Sequence, residues 1–64
     1  MRIHVRNSVT EEPLGDWELP WVPRIGECLK IEKAIGADEY IIERIQHELN
    51  GSGYHIFLEV RPVS

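Results

Sequence analysis

The side chains with the clearest chemical potential are the soft metal ligands, three histidines and one cysteine: His4, Cys28, His47 and His55. Small zinc domains place two such ligands a few residues apart, so that both reach the same ion. No pair in this sequence has that spacing, and we therefore predict no bound metal and no cofactor. A metal site, or the active site of a minor enzymatic subunit, would need His47, His55 or Cys28 to converge with residues of a second chain.

Covalent and acid–base catalysis have little support in the sequence. Cys28 has no histidine or asparagine placed beside it, and a free cysteine usually packs as a small hydrophobic residue. The acidic residues are spread through predicted turns and outward strand positions, whereas acid–base catalysis needs two carboxyl groups in environments that separate their pKa values. We predict no catalytic residue and a protein that is not an enzyme.

One segment has a composition that is unusual for a simple loop: it carries two tryptophans, Trp17 and Trp21, with Pro20 and Pro23 beside them. Tryptophans four residues apart in an extended chain lie on the same side, and filling a small core explains at least one of them. Exposed tryptophan and proline are also the surface with which small barrels bind extended or proline-rich peptides. We therefore predict partner contacts at four positions: Trp17, Trp21, Arg24 and Tyr40.

Length and composition bound the class of protein. Sixty-four residues, 42% of them hydrophobic and 28% charged, are typical of one small folded domain over residues 1–64. Such a domain has a thin margin of stability and no room for a deep cleft. A single cysteine forms no intramolecular disulfide, and no apolar run approaches the roughly twenty residues of a membrane span. We expect a cytoplasmic protein without a membrane partner.

The net charge of −4 argues against general binding to nucleic acids, because that affinity depends on Lys and Arg neutralising phosphates. A small nucleic-acid-binding barrel is nevertheless an alternative, in which bases would stack on aromatic side chains of the strands. That site would use two aromatic residues and three arginines: Tyr54, Phe57, Arg2, Arg6 and Arg44.

Alternating polar and apolar residues predict the strands that would position these side chains. Residues 2–6 alternate with Ile3 and Val5 toward the core, and residues 28–32 alternate in the same way. Residues 17–23 alternate too, but their prolines favour an edge strand that continues as polyproline-like chain. Two further segments have the composition of exposed connections: 7–16 and 33–38.

Residues 39–49 fit two secondary structures, and the choice between them decides the fold. As a helix they would be capped by Asp38, would show a stripe of apolar residues at helical spacing and would end at Gly51. As a strand they would pair with residues 54–60 across the two-residue turn Gly51-Ser52, with glycine first as a type II′ turn requires.

The strand interpretation fixes a register that can be checked pair by pair. On one face it pairs core-facing residues: Ile45 with Leu58, His47 with Ile56, and Leu49 with Tyr54. On the other face it pairs residues of complementary charge: Glu48 with His55, and Arg44 with Glu59. Each such pair contributes roughly 0.2–1 kcal/mol, and for this reason we prefer the hairpin. In this register His47 is a core-edge histidine bonded to backbone, and His55 points the other way.

Two strings in the sequence carry a resemblance to known proteins: Leu19-Pro-Trp-Val-Pro-Arg-Ile-Gly-Glu27, and Tyr40-Ile-Ile-Glu-Arg-Ile-Gln-His47 followed by a glycine turn and a strand. They resemble short uncharacterised microbial and phage proteins with the pattern P-R-x-G-[DE] … Y-x-V-x-x-V-x-H. The resemblance covers residues 19–60 and implies a small SH3-like barrel without catalytic residues. The connection at residues 33–39 is longer than in that group.

We therefore predict an all-β, SH3-like, partly open barrel of about five strands. The alternative is an α+β fold, β-β-α-β, in which residues 39–49 are helical. For function we expect a non-enzymatic interaction module, which binds a protein partner, associates with itself or belongs to a larger microbial or phage assembly. Association would stabilise a domain with a small core because it adds buried area.

Overall fold

The computed structural model describes residues 1–63, which form five β-strands and no helix. The strands are β1 (Arg2–Asn7), β2 (Pro13–Glu18), β3 (Cys28–Glu32), β4 (Ala37–Asn50) and β5 (Gly53–Pro62). Within this range there is accordingly no helix with the length and apolar character needed to cross a membrane.

All five strands belong to one sheet, in the order β2-β1-β5-β4-β3. Strands β1 and β5 run parallel, and the other neighbouring pairs run antiparallel. The sheet curls strongly into an open half-barrel, whose two edges are the short strands β2 and β3. The predicted all-β, partly open barrel of about five strands is confirmed.

The long hairpin of β4 and β5 dominates the sheet. All five predicted cross-strand pairs form, so the alternative fold with a helix over residues 39–49 is wrong. A register shift between Ile42 and Arg44 accounts for Glu43, which interrupts the alternation in the sequence. A β-bulge inserts one extra residue and so changes which positions face the core. The mixed periodicity of this segment is therefore the pattern of one bulged strand.

The turn between β4 and β5 has the predicted length but not the predicted type. Asn50 pairs with Gly53, which leaves Gly51 and Ser52 as the loop. A type II′ turn needs positive φ at its first loop residue, whereas the positive φ of this turn, 119°, is at Gly53. The Asn50 side chain closes the loop instead, because its Oδ1 accepts from the backbone N–H of Ser52 at 2.9 Å and from the Ser52 hydroxyl at 2.6 Å.

Seven buried residues form the core, and all belong to the three central strands: Ile3, Val5, Tyr40, Ile42, Ile56, Leu58 and Val60. The prediction that Ile3 and Val5 face the core is confirmed. Six half-buried apolar residues pack around this cluster: Leu14, Leu19, Val22, Leu29, Ile31 and Ile45. Full burial of one such side chain contributes about 1.5–3 kcal/mol, so each of the few core residues carries a large share of the stability.

Strand β2 begins inside the segment that the sequence predicts as an exposed connection. Residues 13–18 pair with β1, and Leu14 packs against the core. Pro13 is compatible with this position because it is the first residue of an edge strand. The edge strand predicted within residues 17–23 is therefore misplaced, because the strand ends at Glu18 and residues 19–27 form the extended, irregular connection to β3.

Asn7 is the one buried polar residue among residues 1–63, with 8% of its surface exposed. Its Oδ1 accepts from the backbone N–H groups of Val9 at 2.8 Å and Thr10 at 3.2 Å, and so closes the turn between β1 and β2. We expect Asn7→Ala to lower the free energy of unfolding by about 1–2 kcal/mol, because both N–H groups lose their acceptor. Asn7→Asp keeps the acceptor and should retain most of the stability in urea unfolding. Equal stability of Asn7→Ala and the parent would contradict this role.

Candidate functional site

An apolar cavity of about 340 Å³ opens between the two free edges of the half-barrel. Core residues form its floor, Trp17 and Leu19 line one side, and the whole of residues 29–32 on β3 lines the other. We call this cavity the edge groove. It lies where a closed barrel would have continuous backbone pairing, so it combines exposed apolar surface with the unpaired backbone groups of edge strands.

Trp17 is the most prominent side chain of the edge groove, with 37% of its surface exposed. Its ring lies over Gly15, and a Cβ atom added to that glycine would be 2.8 Å from the Trp17 Cη2 atom. The backbone of Gly15 has a φ of 146°, which non-glycine residues rarely adopt. Gly15 therefore provides the space that lets the indole lie flat against its own strand and face the groove.

Trp21 and Arg24 belong to the connection over residues 19–27, outside the groove. Trp21 is 68% exposed and faces solvent. Trp17, in contrast, lies over core residues at the groove. The connection is anchored to β4 because the N–H of Gly26 donates to the Ile42 carbonyl at 2.8 Å and the Ile42 N–H donates to the Glu27 carbonyl at 3.0 Å. The Pro-Arg-Ile-Gly-Glu string of this chain thus has a structural role.

Tyr40, the fourth predicted contact residue, is a core side chain with 7% of its surface exposed. Only its hydroxyl approaches the surface, where it donates to the Asp38 carboxylate at 3.4 Å. Burial, together with the negative charge of Asp38, raises the pKa of Tyr40 above its usual value. The ring of Tyr40 is enclosed by the core, so it does not belong to the candidate contact surface.

The outer face of the sheet carries a second group of polar residues, centred on two histidines. His4 Nε2 and His55 Nδ1 lie 3.0 Å apart, and His4 Nδ1 lies 2.7 Å from Asp16 Oδ1. The His4 ring also stacks on Phe57, with ring centroids 4.7 Å apart. Strand β1 brings His4 to this place through its parallel pairing with β5.

The three residues that a metal site with a second chain would use, His47, His55 and Cys28, do not converge within this chain. His47 lies on the inner face and His55 on the outer face, as predicted, and Cys28 lies on the edge strand β3. Within residues 1–63 no group of three or more metal-binding side chains occurs. The expectation that His47 bonds to backbone is wrong, because it is exposed and its Nδ1 contacts the Tyr54 hydroxyl.

The residues of the alternative nucleic-acid site are also separated. Tyr54 faces the inner side of the sheet and Phe57 the outer side, since they are an odd number of residues apart on one strand. Each of the three arginines has an acidic neighbour: Arg2 has Asp16, and Arg6 and Arg44 share Glu59. No aromatic platform flanked by free positive charge forms from these five residues.

Comparison with known proteins adds no relative: no family model, no curated protein and no solved structure matches this chain. Sequence reasoning missed the pairing of His4 with His55, because it depends on a parallel contact between the two ends of the chain. It also missed the edge groove, whose two sides are not adjacent in the sequence.

Proposed function

We propose that this protein is a non-enzymatic interaction module, which binds an extended apolar segment of a protein partner in the edge groove. The observation that carries the proposal is the apolar cavity lined by both free edges of the half-barrel. An added strand would supply the missing backbone partner, and its inward side chains would enter the cavity. From the sequence, we also propose that the protein is cytoplasmic and that its half-barrel is SH3-like.

The partner strand is expected to pair with β3 rather than with β2. All of residues 29–32 line the groove, so a strand beside β3 would lie directly over it. Strand β2 begins with Pro13, and its pairing with β1 has a register shift between Val5 and Arg6. Proline and bulges are features that weaken further pairing at an edge. In this arrangement Trp17 contacts the side chains of the partner and β3 binds its backbone.

We expect Trp17→Ala to weaken peptide binding by about 30-fold, which is the effect of removing a contact worth about 2 kcal/mol. Ligands would be selected from a displayed library of eight-residue peptides with alternating apolar positions, and affinities measured by isothermal titration calorimetry. Trp21→Ala is the matched control, because Trp21 is more exposed and lies outside the groove. It should change the affinity by less than about threefold.

Chemical-shift mapping tests the same site without any substitution. The backbone amides of Lys30, Ile31 and Glu32 should move most when a selected peptide is added. Shifts confined to residues 19–27, or a loss of binding in Trp21→Ala alone, would place the contact on the connection and overturn the groove. Sedimentation of the free protein tests for self-association. A second copy that fills the groove would give a concentration-dependent mass and would block peptide binding.

A further inference from the structure

Strand β4 has an edge of its own beyond the end of β3. Strand β3 pairs only with residues 37–41 of β4, and the next residue, Ile42, bonds to Gly26 and Glu27 of the connection. Among residues 1–63, no backbone–backbone hydrogen bond joins residues 45–49 to any segment other than β5. We call residues 44–50 the free edge of β4.

The turn of the hairpin decides which backbone groups this edge presents. A two-residue loop is closed by a hydrogen-bonded pair, here Asn50 with Gly53, and such pairs alternate along an antiparallel ladder. Ile45, His47 and Leu49 lie in the intervening pairs, so their N–H and C=O groups point away from β5. Each of them therefore presents a donor and an acceptor that no backbone group in the described part of the chain satisfies.

The free edge of β4 lacks the features that keep edge strands from pairing. Proteins protect such edges by shortening them or by placing proline, lysine or a bulge within them. Strand β2 has Pro13 and a register shift in its pairing with β1. The free edge of β4 is longer than β2 or β3 and contains neither proline nor lysine, and the register shift of β4 lies before Arg44. A further strand can therefore pair along its whole length.

Apolar side chains lie uncovered beside these backbone groups. Leu49 is 81% exposed, and Tyr54, its cross-strand partner, is 47% exposed. Both lie on the inner face with Ile45, at the end of the hairpin that extends past β1 and β3. A strand added to the free edge would therefore cover apolar surface as well as satisfy backbone groups.

We infer that two copies of this chain associate through the free edge of β4, by antiparallel pairing of residues 44–50 about a two-fold axis at His47. Such an axis makes the contact self-complementary, because each copy supplies the same strand. His47 then lies opposite its own copy, and Ile45 lies opposite Leu49 of the second copy on the inner face. These three residues fall in hydrogen-bonded pairs, so the N–H and C=O groups of each find a partner.

Charge on the outer face favours a second copy as the occupant. In this register Gln46 lies opposite Glu48 of the second copy, and Arg44 lies opposite its Asn50. Glu48 of the second copy is then diagonal to Arg44, a position that long side chains can reach. The chain carries a net charge of −4, which opposes association in general, but at this edge opposite charges meet on both sides of the axis.

The neighbouring registers are less favourable. A register centred on Gln46 would bring Asn50 of the second copy beside Ile42, where Gly26 and Glu27 already bond. A register centred on Glu48 would place the two Glu48 side chains directly opposite each other, and like charges in that position are destabilising. The axis at His47 avoids both conflicts and pairs the whole of the free edge.

Sedimentation equilibrium of the full chain, from about 10 μM to about 1 mM, tests this association. One strand pair is smaller than a standard interface, so we expect a dissociation constant of roughly 10–500 μM. Leu49→Lys, which places a charge among the apolar side chains of the contact, should raise this constant at least about tenfold. Ile35→Lys is the matched control, because it makes the same change in charge at a side chain that is 91% exposed and outside the contact. It should leave the constant unchanged.

Amide hydrogen exchange locates the contact without any substitution. Protection of the amides of Ile45, His47 and Leu49 should increase with protein concentration, whereas the amides of β3 should not change. An amide spectrum of Leu49→Lys verifies that the sheet is intact.

Three results would overturn the inference. A chain that stays monomeric at about 1 mM would leave this edge to a strand of a different protein. Equal dissociation constants for Leu49→Lys and the parent, or concentration-dependent protection on β3, would place the contact elsewhere. Leu49→Lys should bind groove-selected peptides as well as the parent does, because Leu49 does not line the edge groove. The two proposals are therefore tested separately.

Discussion

Replacing Ile56 with alanine should remove a large part of the stability of this domain. Ile56 is fully buried in the central strand β5, where it pairs with Ile3 on β1 and His47 on β4. Removing the side chain costs the lost burial and leaves a cavity, together about 2–5 kcal/mol. A domain of this length has a total stability of roughly 3–10 kcal/mol, so the loss is a large part of the whole.

The matched control is Ile35→Ala, which makes the same chemical change at a side chain that is 91% exposed. Ile35 lies in the turn before β4, and we expect a change of less than about 0.5 kcal/mol there. Urea unfolding followed by circular dichroism measures both variants. Similar midpoints for the two variants would show that the core is not centred on β5.

Gly15→Ala should have the second largest effect, and it should act on the groove as well as on stability. The added Cβ would lie 2.8 Å from Trp17 Cη2 and 3.2 Å from two further ring atoms. The backbone φ of 146° adds strain for any residue with a side chain. We expect a loss of about 1–3 kcal/mol in the free energy of unfolding and displacement of the indole from its place over β2.

The displacement can be observed directly by fluorescence in a Trp21→Phe background, where Trp17 is the remaining tryptophan. Gly15→Ala should shift its emission, and it should weaken binding of groove-selected peptides along with Trp17→Ala. Gly51→Ala is the control, because a Cβ there meets no atom within 4 Å and the φ is not in the left-handed region. It should be neutral or slightly stabilising. Unchanged Trp17 emission in Gly15→Ala would contradict the packing of Trp17 on Gly15.

The hairpin of β4 and β5 could be predicted almost completely because its evidence is local. A short turn fixes the register, and the register then pairs apolar residues on one face and opposite charges on the other. The turn type was wrong because the choice depends on the Asn50 side chain, which satisfies the loop N–H without a left-handed residue at Gly51. The predicted position of β2 was wrong by several residues. Its sequence contains turn-forming residues, which indicate a loop, but pairing with β1 stabilises it as a strand.

Of the four predicted contact residues, the structure places Trp17 on the edge groove and leaves Trp21 and Arg24 exposed outside it. Tyr40 could not be assigned from the sequence because the bulge near Glu43 determines which residues of β4 face the core. Whether any of these residues contacts a partner stays a prediction. Binding experiments on Trp17 and Trp21 separate the two surfaces.

By itself, the sequence determined the strands with clear alternation, the hairpin register, the core positions of Ile3 and Val5 and the absence of an internal disulfide. Each of these follows from neighbours along the chain, from cross-strand pairs joined by a short turn or from composition. Only the tertiary structure decided that β1 pairs in parallel with β5, that the edges β2 and β3 leave a groove between them, and that His4 meets His55. Those contacts join residues far apart in sequence, and their energy depends on the curl of the whole sheet, which no short segment encodes.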